Sequence, residues 1–326
     1  MKMKKILSVA AVLAICASLG VSASAASVPA SHNDYTDVTG GITNGSVSVE
    51  FKKVYDLTNP GTTHPQETLT FIATATGDNT SSAPTVTFGD NGVVTTTKGA
   101  DTTIPVSITN INAYGVYTYD VAETAASNAP GVDYATGYKL TVSVVYNETD
   151  KKVQVAYALR DNDNTKTDNI SNTYSAGTLV IESKTTGNLG DKEENFTATV
   201  TFSNPVDAEY TENVTWSPDG KTATITYKDD TTITIPNIPY GTTYTVTESD
   251  TKGYTFSQNA TDDDVPAGAT GVIDSVKETD VLTNNKGDDN IDTGLNLDNA
   301  PYALALAGVA AVGGTVVIRR RRRVMD

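Results

Sequence analysis

From Ser46 onward apolar residues fall at every second position in short runs, and clusters of Gly, Pro, Asn and Asp separate the runs. In SVSVEFKKVYDL, Val47, Val49, Phe51, Lys53 and Tyr55 share one phase, the period of two expected of a strand with one buried face. After a loop at 59–66 (NPGTTHPQ), the same signal predicts strands at ETLTFIATAT and over 85–88, 101–108, 115–123, 138–146, 152–159 and 170–174. Ser175, Ala176 and Gly177 punctuate the chain. A second series then opens over 178–183 and continues through NFTATVTF, KTATITYK, TTITIP, TTYTVTES and DVLTN, with SPDGK and KDD as turns. Short strands punctuated in this way predict an antiparallel sandwich. Glu67 and Asn195 each open a Thr/Phe-rich strand after a loop, a weak internal repeat. The pattern therefore predicts an all-β chain of two tandem immunoglobulin-like β-sandwich domains, 46–176 and 177–287, after a flexible lead-in over 27–45.

Helical signal is confined to the two ends. Residues 1–26 carry a basic start (MKMKK), an apolar run and then the small residues VSASAA, which predicts a secretory signal peptide cleaved after Ala25 or Ala26. Near the other end an apolar run from Tyr302 meets Arg319 to Arg323. That run, roughly 17 residues, is at the short limit for a membrane span, and the basic cluster would keep its C-terminus cytoplasmic. Ahead of that run, Lys286 to Asn299 is acidic and polar, as suits a linker.

Composition narrows the partners. Of 326 residues, 39 are acidic and 23 basic, for a net charge of −16, and much of the basic charge sits in the terminal segments. An acidic exported body argues against nucleic acid or an anionic lipid surface as partner. The single cysteine, Cys16, lies in the predicted leader, so no disulfide can staple these domains.

Three polar residues sit in phase with core positions. Lys53 follows Phe51, Glu123 follows Tyr117, Tyr119 and Val121, and Asn172 lies between Ile170 and Tyr174. Burial would lower the lysine pKa and raise that of the glutamate. A neutral amine is a nucleophile, and a protonated carboxyl can polarise the asparagine carbonyl and shuttle protons. The product would be a Lys–Asn isopeptide bond with release of ammonia, favoured by contact of the reacting groups. A strand lysine otherwise snorkels to solvent, and an isolated Lys/Glu pair is an ordinary ion pair. What weighs against that is recurrence in the same order: Glu248 follows Tyr244 and Val246, and Asn284 follows Leu282.

These residues carry a resemblance. FKKVYDLTNPGTTHPQETLTF, GVYTYDVAE and ISNTY in the first half, with GTLVIESKTTGN, NFTATVTF, IPNIPYGTTYTVTESDTKGY and LTNNK in the second, resemble Gram-positive major (backbone) pilins of the FctA type. Those are built from CnaB-like isopeptide domains. The resemblance implies a structural, non-enzymatic pilus subunit with Lys53, Glu123 and Asn172 as a self-forming cross-link. In domain two it implies Glu248 and Asn284 with Lys184, although Ser183 holds the in-phase position. Only an added residue, a β-bulge, would turn Lys184 inward. The tail, 288–326, would be a sorting signal in which NIDTG keeps only the Thr-Gly pair of the usual motif, so that a sortase would cleave between Thr293 and Gly294. Lys166 is the expected acceptor lysine between subunits, with Lys98, Lys151 and Lys152 as substitutes. The implied partners are other pilin subunits, sortase, peptidoglycan and a host or cell-surface ligand.

No cofactor or metal is called for. His32 and His64 are isolated and read as ordinary loop residues, and DNDNTKTD from Asp161 lacks the glycine and distal glutamate of an EF-hand. The competing readings are an anchored adhesin that does not polymerise, and a glycan hydrolase with paired carboxylates.

Overall fold

A computed structural model describes residues 35–206, 213–260 and 271–287. The leader, Thr293 and Gly294, and the C-terminal apolar segment lie outside the described residues. The first domain comprises β1 (Tyr35–Asp37), β2 (Gly45–Leu57), β3 (Thr68–Thr76), β4 (Thr85–Phe88), β5 (Val93–Thr95), β6 (Thr102–Ile111), β7 (Gly115–Ala125), β8 (Val132–Asp133), β9 (Tyr138–Asn147), β10 (Lys152–Arg160), β11 (Lys166–Thr167) and β12 (Asn169–Tyr174). One sheet has the order β1-β10-β9-β7-β3-β5, with β11 beside β10, and the other β4-β6-β2-β12-β8. The two close on each other through their alternating apolar faces. Phe51 stacks with Phe88 at 6.2 Å, and Phe88 with Phe71 at 5.5 Å, across that interior. Each such side chain, fully buried, stabilises by about 1.5–3 kcal/mol.

The second domain comprises β13 (Ala176–Thr186), β14 (Phe196–Phe202), β15 (Val214–Trp216), β16 (Thr222–Tyr227), β17 (Thr232–Pro239), β18 (Thr243–Glu248), β19 (Thr255–Ala260), β20 (Gly271–Val272) and β21 (Lys277–Asn285). Its sheets run β17-β13-β21-β19 and β15-β16-β14-β18-β20. The two domains share a plan. In each, the long opening strand pairs in parallel with the closing strand: β2 with β12, and β13 with β21. The carboxylate-bearing strand lies in the facing sheet, β7 beside β3 and β18 beside β14.

Two boundaries differ from the sequence reading. Part of the expected lead-in is strand: β1 pairs with β10, Tyr35 opposite Ala156 and Asp37 opposite Gln154. Three residues are too few for periodicity to register. The joint between domains is a single residue, Ser175, since β13 begins at Ala176. There the Ser175 N–H donates to the Gly131 carbonyl at 2.8 Å. Gly131 has φ +74° and no room for a Cβ, which would meet the Ser175 carbonyl oxygen at 2.4 Å. Asn59 and Asn237 tie the domains: Asn59 Nδ2 donates to the Tyr240 hydroxyl at 2.9 Å, and Asn237 Nδ2 to the Thr63 carbonyl at 3.0 Å.

Candidate functional site

In β2 the alternation runs unbroken through Phe51, Lys53 and Tyr55, so the lysine is forced to the interior with them. β12 places Asn172 beside Tyr55 and Ile170 beside Lys53 on the same inward face. β7 supplies Glu123 from the opposite sheet. The Lys53 side chain is 0% exposed and that of Glu123 2%; Asn172 is likewise buried. The Lys53 ammonium donates to Glu123 Oε2 at 2.9 Å. Asn172 Nδ2 donates to Glu123 Oε1 at 2.6 Å, and Asn172 Oδ1 accepts from the Ala135 backbone N–H at 3.0 Å. One carboxylate thus spans amine and amide. Burial pushes the Lys53 pKa down, and the Glu123 charge offsets part of that.

The geometry refines the expected chemistry. Glu123 meets the amide nitrogen, not its carbonyl. The carbonyl is polarised by Ala135 N–H, a residue that periodicity cannot reveal because it acts through its backbone. A second buried carboxylate, Glu67, reads in the sequence only as the start of a strand. The Tyr55 hydroxyl donates to Glu67 Oε2 at 2.5 Å, and the Tyr134 hydroxyl donates to Oε1. Burial, with that carboxylate adding to it, pushes both phenols up. His64 is no ordinary loop residue: it is buried and stacks on the Tyr55 ring at 4.0 Å. Tyr55 in turn lies beneath the lysine, whose Nζ is 5.4 Å from the ring centroid.

The second domain brings together Glu248 and Asn284 but not Lys184. Ser183 is buried and Lys184 exposed. The expected bulge fails because the irregularity of β13 lies between Gly177 and Leu179, ahead of the lysine. Beyond it Leu179, Ile181, Ser183 and Thr185 keep their phase. The Ser183 hydroxyl is committed to the Lys228 and Thr231 carbonyls. What reaches the pair instead is Tyr227, the inward residue ending β16, whose hydroxyl donates to Glu248 Oε2 at 2.6 Å. Asn284 Nδ2 donates to that same hydroxyl at 3.4 Å. The inward phase of Tyr227 with Ala223 and Ile225 is visible in the sequence; its arrival at Glu248 is not.

Of the other expected residues, Lys166 lies exposed on β11 at a sheet edge. Lys151 and Lys152 are paired with Glu148 at 3.1 Å and Asp37 at 2.5 Å. Asp161 closes its own turn, accepting from the backbone N–H groups of Asp163 and Thr165 at 3.0 and 2.8 Å. No group of metal-ligating side chains occurs among the described residues.

Fold and site together define a two-domain β-sandwich protein whose first domain buries a contiguous lysine, glutamate and asparagine between its opening and closing strands. A family model described as a domain of unknown function (DUF7601) matches residues 177–286. The chain is similar to a curated pilin from Streptococcus pyogenes serotype M1, 28% identical over 232 residues, which is 64% of this chain and 68% of that protein. Among solved structures it is similar to the major pilin from Streptococcus pyogenes, with 22% identity over 74% of this chain and 99% of that one, and a TM-score of 0.47. It is also similar to the major pilin protein T3.2 of that species, with 18% identity, 77% and 100% coverage, and a TM-score of 0.49. The resemblance to Gram-positive backbone pilins read from the residues is thus the one the curated pilin returns.

Proposed function

We propose that this chain is a structural subunit of a cell-surface pilus, closed in its first domain by a Lys53–Asn172 isopeptide bond and joined to other subunits by a sortase. The observation that carries the reading is the buried contact of all three groups, with Glu123 touching both the amine and the amide nitrogen. Glu123 Oε2 takes a proton from the ammonium, and the freed amine attacks Asn172 Cγ. Negative charge builds on Oδ1, where Ala135 N–H already donates. The Glu123 carboxyl relays that proton, and then the second one the attacking nitrogen sheds, to Nδ2 as the Cγ–Nδ2 bond breaks. One Nζ–Cγ bond forms, nitrogen leaves as ammonium carrying both protons shed by the lysine, and Glu123 is regenerated.

The position of the bond suits a fibre under tension. β2 and β12 are adjacent and parallel, so pulling the domain by its two ends shears them along each other. A covalent tie carries that force directly from one to the other, and the strands between residues 53 and 172 are bypassed. No external substrate is turned over. Sorting at Thr293 and Gly294, and acceptance by Lys166 of the neighbouring subunit, complete the assembly and place the subunit in the wall-attached pilus.

The test is intact mass together with peptide mapping. The purified protein should weigh one ammonia less than its sequence and yield a peptide joining Lys53 to Asn172. Glu123→Ala should restore the full mass. A bond closing a loop of roughly 100 residues stabilises by about 4–5 kcal/mol, so that variant should melt about 10 °C or more lower. A parent protein of full sequence mass would reject the cross-link.

A further inference from the structure

The parallel plan of the two domains allows their residues to be matched by register. In the first, Lys53 stands opposite Ile170 and Tyr55 opposite Asn172. In the second, Ser183 stands opposite Leu282 and Thr185 opposite Asn284. Ser183 is therefore the counterpart of Lys53, on the same inward face and two residues ahead of the partner of the asparagine. Glu248 closes β18 as Glu123 lies near the end of β7. The acid and the amide are both in place, and the amine is replaced by a residue of another strand, Tyr227.

That replacement is incomplete. A phenol hydroxyl has one proton to give, whereas an ammonium has three. Tyr227 gives its proton to Glu248 Oε2. Glu248 Oε1 and Asn284 Oδ1 are buried and accept no hydrogen bond among the described residues. Buried acceptors in this condition are rare, and each costs stability. In the first domain the equivalent oxygens are both satisfied, Glu123 by the lysine and the amide, Asn172 by Ala135 N–H.

We infer that domain two holds a latent isopeptide-forming site, complete except for its amine, which the Tyr227 hydroxyl bridges without a covalent bond. The inference borrows its chemistry from the cross-link proposed for domain one. A lysine at position 183 would lose a proton to Glu248 and attack Asn284 Cγ; the Nζ–Cγ bond forms, the Cγ–Nδ2 bond breaks, and the nitrogen departs as ammonium with the two protons the lysine sheds, relayed by Glu248. In the natural chain this site stays open, so domain two is the compliant half of the subunit and unfolds before domain one.

The experiment compares intact masses and melting of the whole protein with those of Ser183→Lys/Tyr227→Leu, where the leucine gives the new side chain room. The double variant should lose one ammonia more than the parent, yield a peptide joining position 183 to Asn284, and show its lower melting transition raised. Adding Glu248→Ala should return the mass loss to that of the parent. A folded double variant with no extra loss overturns the inference, as does a parent peptide joining Lys184 to Asn284. Where the double variant does not fold, Tyr227→Phe decides. Its lower transition should fall with the upper one unmoved, and an unmoved lower transition overturns the bridging role. The readout is a difference from the parent, so a parent with no mass loss would sink the domain-one reading alone.

Discussion

A lysine in a protein core is held there by what surrounds it, and Lys53 shows the terms. Its ammonium has lost all contact with water and keeps a single carboxylate partner, Glu123, while burial drives its pKa below the ordinary 10.5. Where the proposed bond cannot form, this leaves a measurable trace. In Asn172→Ala the folded state binds the Lys53 proton less tightly than the unfolded chain. Between the lowered folded value and 10.5 the unfolded state therefore binds more protons, and stability rises with pH across that window. Melting of Asn172→Ala against Lys53→Met/Asn172→Ala should show a deficit at neutral pH that closes as pH approaches 10.5. A deficit independent of pH would mean that the amine is not desolvated. The same residue-scale logic explains Lys184. Its chemistry is identical to that of Lys53, yet one position along the strand sends it to water while Ser183 takes the core.

At the scale of elements, one strand carries most of the unusual chemistry of domain two. β21 turns Glu278, Asp280, Leu282 and Asn284 inward, three polar residues of four. Asp280 accepts from Gln258 Nε2 of the neighbouring β19, and its Oδ1 has no hydrogen-bond partner among the described residues. Burial pushes its pKa up, only partly offset by Gln258, Tyr244 and the Val281 backbone. A carboxyl with a raised folded value contributes stability that is fully present below the unfolded value and is lost as pH rises through the folded one. At neutral pH, Asp280→Asn should therefore melt higher than the parent, by a margin that vanishes near pH 3.8, the ordinary value. Thermal melts at the two pH values check the sign; a variant less stable at both would show that the charge is used rather than tolerated. The opening strands are simpler: β2 and β13 were legible as strands from alternation alone, because one face of each meets a core throughout.

Across the whole molecule, force and assembly depend on how the parts are joined. A single-residue joint, with Asn59 and Asn237 bonding across it, couples a domain proposed to be covalently closed to one held by hydrogen bonds. Lys166 is exposed at the sheet edge of the first domain and is the acceptor proposed for a neighbouring subunit's tail. Lys166→Ala should abolish detergent-resistant ladders in cell-wall extracts while leaving the subunit's melting unchanged; ladders that persist would pass the role to Lys98, Lys151 or Lys152. The sequence alone determined the all-β class, the two-domain division and the inward phase of Lys53, Glu123, Asn172, Glu248, Asn284 and Ser183, because a strand's period of two is local and survives in any register. Tertiary structure decided the rest. It set β1 against β10, put Ala135 N–H on the amide carbonyl, gathered Tyr55 and Tyr134 around Glu67, stacked His64 on Tyr55, and brought Tyr227 to Glu248. Those contacts join residues far apart in the chain or act through the backbone, so no local pattern of side chains records them: alternation tells which way a residue faces, and only the pairing of distant strands tells what it meets.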